Sequence, residues 1–316
     1  MRPAEANPAL VPRAAPRTLV PAPVSALLRA LLLAALAWPL AGLGAALWPS
    51  VSQAAQGRPA PALAIHHEAL REVRRIQRLL ASEAAHMDHQ GPSLAPPAPP
   101  GGTTAASRLS EDRILAAYRA ANDHIAAAMP ALFQRQPDGF IDIAPQVPSA
   151  GRAAQADYVT PPTADGGRPA IYWVAVASPA GADAAAIPAT LLRTGRPGRH
   201  FQTEDRRAAG MPWGAGWSLY AASLGEEMGL YAEPAARHAW RRMELAAAAR
   251  MAADTGMQGA SWTQRRAAAY LAATTGMQQA QAGAIAAQCA AMPGKPGAEG
   301  LAYLRIRQLR ARSEKA

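Results

Sequence analysis

The chain has 316 residues, enough to bury a sizeable core, and a single cysteine, Cys289, which excludes an intramolecular disulfide framework and any cysteine-rich zinc module. Half of the residues are apolar, only 5% are aromatic and about a quarter are alanine, which excludes wholesale disorder and favours helices over an all-β sandwich or barrel. The net charge of +10 is carried by arginine, lysine occurring only at Lys295 and Lys315; the arginines are scattered among acids with no aromatic-plus-basic motif, so a nucleic-acid partner is not expected.

The N-terminal stretch carries Arg2, Arg13, Arg17 and Arg29 against one acid, Glu5. Residues 30–48, ALLLAALAWPLAGLGAALW, then run without charge. A positive flank before such a run predicts an N-terminal signal or anchor helix within residues 1–54, with small residues at Ser52-Gln53-Ala54 where a signal peptidase would cut. The expected location is the periplasm, free or anchored to the inner membrane through this segment.

Residues 64–87 read as an amphipathic helix, with Ile65, Ala69, Val73, Ile76 and Leu80 at helical spacing and Glu68, Arg71, Glu72 and Arg75 on the other face. His66, His67, His86 and His89 are read as solvated surface, because the neighbours His66 and His67 point in different directions. Residues 91–107 form a Pro/Gly-rich linker. The domain organisation expected is therefore 1–54 signal peptide or anchor, 55–107 helix plus linker, and 108–316 a helical domain. A helix begins near Ser110, an N-cap followed by Glu111 and Asp112, with Ile114, Tyr118, Ala121, Ile125 and Met129 as its apolar stripe and Pro130 disturbing its end. Residues 136–170 are expected as loops and 171–177, IYWVAVA, as a strand. Further helices are expected at 214–229, 234–255, 264–275 and 278–291, with Gly229, Gly256 and Gly276 at their C-caps and Pro234 in a first turn. The fold class is mainly α with a small β element near 171–177.

The C-terminal third carries an ordered set of motifs: Gly216-Trp217-Ser218-Leu219-Tyr220, Glu226-Glu227-Met228-Gly229-Leu230-Tyr231, Asp254-Thr255-Gly256, and a final Leu301-Ala302-Tyr303. This series resembles the bacterial "domain of unknown function 885" family, whose pattern runs E-G-W-A-L-Y, E-E-M-G-L-Y, D-T-G-I-H and P-G-Q-A…Y-K-I-G. Upstream, Ala156-Asp157-Tyr158, Pro161-Pro162, Asp165-Gly166, Arg168-Pro169 and the helix IHHEALREVRRI are similar to the same family. The resemblance spans roughly residues 64–316, about the C-terminal half of a usual member.

The resemblance implies a helical, zinc-metallopeptidase-like scaffold with the hallmark H-E-A-x-P-G-H-H, in which histidines and a glutamate hold zinc and another glutamate acts as general base. Pro197-Gly198 sets the register here. Arg193 then falls on the first histidine, Thr194 on the general base, Arg199 on the histidine after Pro-Gly, Ala215 on the glutamate of E-G-W, and Gln258 on the histidine of D-T-G-I-H. Lys295 to Gly300 interrupts the P-G-Q-A region. An arginine has no free lone pair for a metal, and a cluster of them repels a dication. Zinc belongs to the family pattern; for this chain no metal, no cofactor and no catalytic residue are expected.

The reading that follows is a truncated, exported, catalytically inactive homologue. Two alternatives stand beside it: binding of an anion or peptide carboxylate by Arg193, Arg196, Arg199 and His200, and residual metallopeptidase or other hydrolase activity, for which Ser218 and Ser223 lie nearby without a readable triad. Trp217, Leu219, Tyr220, Met228, Leu230 and Tyr231 are read as core, Glu226, Glu227 and Glu244 as a solvated or ion-paired face, Asp254-Thr255-Gly256 as a helix end, and Cys289 as buried and inert. The missing half of the family chain leaves room for a protein partner or a second copy of this chain.

Overall fold

Apolar side chains every three or four residues, set in alanine-rich sequence, fold as helices through most of the described residues. The computed structural model describes residues 61–89, 111–133, 141–146, 158–160, 168–176, 183–200 and 214–315, all within one compact unit. The signal or anchor segment, the linker at 91–107, and Asp157, Pro161-Pro162 and Asp165-Gly166 lie outside these residues, as do the side chains of His86 and His89. No helix among the described residues is long and apolar enough to cross a membrane.

In chain order the elements are α1 (Ala62–His89), α2 (Glu111–Leu132), β1 (Ile141–Pro145), β2 (Tyr158–Thr160), β3 (Ala170–Val174), a 3-10 turn (Ala184–Ala186), α3 (Ile187–Thr194), α4 (Gly214–Ser223), α5 (Pro234–Gly259), α6 (Gln264–Thr275), α7 (Gln279–Ala291) and α8 (Ala298–Ser313). The mainly helical class is as expected. The sheet is larger than the sequence signalled: β1 pairs parallel and β2 antiparallel with the central β3, Ile143 opposite Tyr172 and Val159 opposite the same residue. Residues 136–170 are therefore not all loop. β1 buries Ile141 and Ile143 around an exposed Asp142, a single alternation too short to stand out among its Pro and Gly neighbours.

α5 is the axis of the fold. On one side α2, the sheet, α3 and α4 pack Tyr118, Tyr172, Leu192, Leu219 and Trp240 into one core. On the other, α1, α6 and α7 pack Val73, Ile76, Leu271, Ala282 and Ala286 against Leu245 and Ala249. Every residue from Met251 to Gly256 is buried, so this part of α5 has no solvent face. Alanine makes that feasible, because small side chains let neighbouring helices approach on all sides.

Gly256 is therefore not a C-cap. It lies inside α5, where a Cβ would fall 2.7 Å from the Trp262 ring and 3.1 Å from His66 Cε1. Gly276 does cap α6 in the left-handed conformation. The helix expected over 214–229 stops at Ser223 and gives way to turns, with Gly229 at φ +74° among them. α3 and α8 carried no helix expectation at all.

His66 is also corrected. It is buried, not solvated: Nδ1–H donates to the Ala252 carbonyl at 3.0 Å and the ring meets Trp262 edge-on at 4.8 Å, whereas His67 is exposed. Burial, with the nearby charges of His67 and Arg266, lowers the His66 pKa below 6.5, outweighing the Ala252 hydrogen bond. The unfolded chain then takes up a proton that the folded one refuses. Stability from this site is whole above pH 6.5 and declines as the pH falls from there to the folded-state pKa. Thermal melts should show a drop as the pH falls below about 6.5 that His66→Asn, whose amide can still donate to Ala252, reduces; equal slopes for both proteins would count against the assignment.

Candidate functional site

α3 ends at Thr194, and the chain turns back beneath it. Gly195 N–H bonds Leu191 at 2.7 Å, the His200 amide returns to the Gly195 carbonyl at 3.2 Å, and the Arg196-Pro197 peptide is cis. Trp217 of α4 donates its indole N–H to the Pro197 carbonyl at 2.7 Å. Gly198 is pressed against α3, since a Cβ there would lie 2.2 Å from the carbonyl oxygens of Leu192 and Arg193. The Pro-Gly turn thus brings residues 198–200 against the end of the helix that bears Arg193 and Thr194. Ala215 lies in the first turn of α4. The next residue, Gly216, is a contact point: its missing Cβ would sit 2.3 Å from Ala302 Cβ, so α4 and α8 touch almost backbone to backbone.

Arg193 points to α8 and pairs with Glu299. Arg250 of α5 binds the other oxygen of the same carboxylate at 3.3 Å. Glu299 is 12% exposed, while the two arginines keep a quarter or more of their side-chain surface. Two guanidiniums therefore share one carboxylate at the junction of α3, α5 and α8. Of the other candidate residues, His200 is buried, Arg196 and Thr194 are half-buried, and Arg199 is exposed. Among the described residues no three His, Cys, Asp or Glu side chains lie together as a metal-holding group.

A second charged cluster lies further along α8. Glu244 is 1% exposed and is held by Arg75 at 2.6 Å, the Tyr303 hydroxyl at 2.9 Å and Arg241 at 3.2 Å, with Arg307 at 3.6 Å. Arg75 and Arg307 also bind Glu72. Burial would raise the Glu72 pKa, but these two arginines outweigh it and hold the carboxyl below its usual range. Burial, reinforced by Glu244, pushes the Tyr303 hydroxyl well above its ordinary value. So Glu244 is the buried centre of an ion-pair network that ties α1, α5 and α8, and not a surface face. Glu226 and Glu227 do fit the ion-paired reading: they pair with Arg241 at 2.6 Å and Arg310 at 2.6 Å.

Asp254 is fully buried in α5 and accepts hydrogen bonds from Gly294 N at 3.1 Å, Gly297 N at 2.9 Å and Gln258 Nε2 at 2.5 Å. Burial raises its pKa in spite of these donors. Asp254 is thus not at a helix end; it fixes the loop that launches α8. Lys295 to Gly297 lie in turns, and Ala298 to Gly300 are the first residues of α8. Cys289 is buried, as expected, which pushes its thiol up to about 12. Sequence reasoning missed Glu299, Arg250 and Arg307, and it placed Arg75 only on a charged helix face. One signal was readable: Trp240, Glu244, Ala247, Ala248 and Met251 share one helical stripe, and a carboxylate on an apolar stripe demands cationic partners.

Compared with known proteins, residues 18–316 match the family described as "Bacterial protein of unknown function (DUF885)". No curated protein matches the chain. Among solved structures, the chain is similar to a "putative lipoprotein" from Colwellia psychrerythraea at 21% identity and TM-score 0.69, over 87% of this chain and 50% of that one. It is also similar to a "putative lipoprotein of unknown function" from Shewanella oneidensis at 12% identity and TM-score 0.64, over 85% of this chain and 53% of that one. These likenesses establish the fold, and the chain spans about half the length of the proteins it matches.

Proposed function

The chain belongs to the bacterial DUF885 family, and from that premise we propose that it is an exported, non-catalytic member in which an arginine–glutamate cluster occupies the place of a metal site. One observation carries the reading: Arg193, which the resemblance aligns with the first histidine of the family pattern, shares Glu299 with Arg250. Each oxygen of that carboxylate already carries a guanidinium, and the two arginines repel a dication. Thr194 and Ala215, on the general-base and glutamate positions, supply neither a base nor a ligand. Export is supported by the arginine-flanked apolar run at 30–48 and by the description of both structural relatives as lipoproteins. Cys289, buried in α7, is not a lipid attachment point.

Hydrolysis of fluorogenic peptides by the zinc-supplemented protein tests the proposal. No turnover above the blank is expected; turnover removed by a chelator would restore the metallopeptidase reading.

A second reading, anion binding, draws support from the two guanidiniums on one carboxylate and from Arg199, exposed just past the turn that follows α3. Arg250 Nε is also buried without an acceptor among the described residues. Arg193 itself is engaged by Glu299, so Arg199 would make the first contact. Calorimetry with inorganic phosphate should then show binding that Arg199→Ala weakens; the absence of heat with the unaltered protein would remove this reading.

A further inference from the structure

About 16 Å along α8 from Glu299, counted at 1.5 Å per residue to Arg310, a separate cleft of about 390 Å³ opens between α8, the start of α5 and the turns that follow α4. Its size falls at the lower end of the range for small-molecule sites. Trp240 and Tyr303, both buried, line it together with Tyr220, and the Arg307 guanidinium lies 5.3 Å from the centre of the Tyr303 ring.

The charges lining the cleft fall into two classes. Glu244 is locked by Arg75, Arg241 and Tyr303 and cannot be released cheaply. The outer pairs differ. Arg310 forks onto Glu227 at 2.6 and 2.8 Å, also reaches Glu314 and the Tyr220 hydroxyl, and both Arg310 and Glu227 keep more than a third of their side-chain surface. Glu226, which pairs with Arg241, is 45% exposed. Ion pairs this exposed contribute little to stability and open at small cost.

A simple anion that took the Arg310 fork would strand Glu227. A simple cation that took Glu227 would strand Arg310. A molecule carrying both charges takes the two together and leaves every charge paired. We propose that this cleft binds a small zwitterion bearing an ammonium and a carboxylate, of the size of a free amino acid or a dipeptide. Its carboxylate accepts the Arg310 fork, its ammonium donates to Glu227 and Glu226, and its side chain lies against Tyr220. The inference uses none of the residues of the Arg193–Glu299 cluster, so a failure of the non-catalytic reading would leave it standing.

Calorimetry on the full chain with glycyl-tyrosine, free tyrosine, N-acetyl-glycyl-tyrosine and glycyl-tyrosine amide tests it. At least one zwitterion should bind with a Kd below about 1 mM, and blocking either of its charges should weaken binding by about tenfold or more. Arg310→Gln and Glu227→Gln should each cause a loss of similar size while melting close to the parent protein, because the pair they break is exposed. The better of the two zwitterions sets the ligand size. No binding by either zwitterion, equal binding of the blocked forms, or unchanged affinity in Arg310→Gln would each overturn the proposal. If either variant melts well below the parent, the blocked-ligand comparison on the parent decides alone.

Discussion

Glu244→Ala is expected to destabilise the protein by about 3–5 kcal/mol, the cost of stripping one partner from a buried ion network. Arg75, Arg241 and Arg307 all converge on this 1%-exposed carboxylate, and Tyr303 donates its hydroxyl to it. Without Glu244 the three guanidiniums border a hollow and keep only the outer carboxylates of Glu72, Glu83 and Glu226. Tyr303→Phe removes a single neutral donor and should cost only about 1 kcal/mol. Urea unfolding midpoints of the three proteins check both values. A loss below about 1 kcal/mol for Glu244→Ala would mean that solvent, not Glu244, balances these arginines.

Asp254→Ala should be the next most damaging change, at about 2–4 kcal/mol, because it leaves two backbone N–H groups buried without an acceptor. Gly294 and Gly297 both donate to this side chain, and their loop sets where α8 begins. Two effects oppose each other here. The carboxylate satisfies its donors, but its burial is costly, as its raised pKa shows. Asp254→Asn keeps one acceptor oxygen and has no charge to desolvate, so it should cost less than alanine. Equal losses for the two substitutions in the same urea experiment would contradict this account.

Both residues show where the sequence was legible and where it was not. Helices with a clean apolar stripe, such as α1 and α2, could be placed from spacing alone. α5 hid its role because it is buried on nearly every side around Met251 to Gly256, so no polar face marks its orientation. The Asp254-Thr255-Gly256 triplet looked like a helix end for the same reason: Gly is expected where a helix stops, and only the packed Trp262 and His66 explain it inside one. The resemblance to the family motifs only aligned Arg193, Thr194, Arg199 and Ala215 in sequence order. It could not reveal that Arg193 meets Glu299, 106 residues away, or that Arg250 joins it from a third helix. The partners of a buried charge come from packing, which local spacing does not encode.

In the proposed function an arginine–glutamate cluster stands in place of a metal at the junction of α3, α5 and α8. Elemental mass spectrometry of the purified protein, after incubation with excess zinc and desalting, tests it most directly. Zinc content near zero per chain is expected, unchanged in Glu299→Gln. One zinc per chain would contradict it, and would mean that a ligand set other than the residues aligned with the family's metal motif holds the ion.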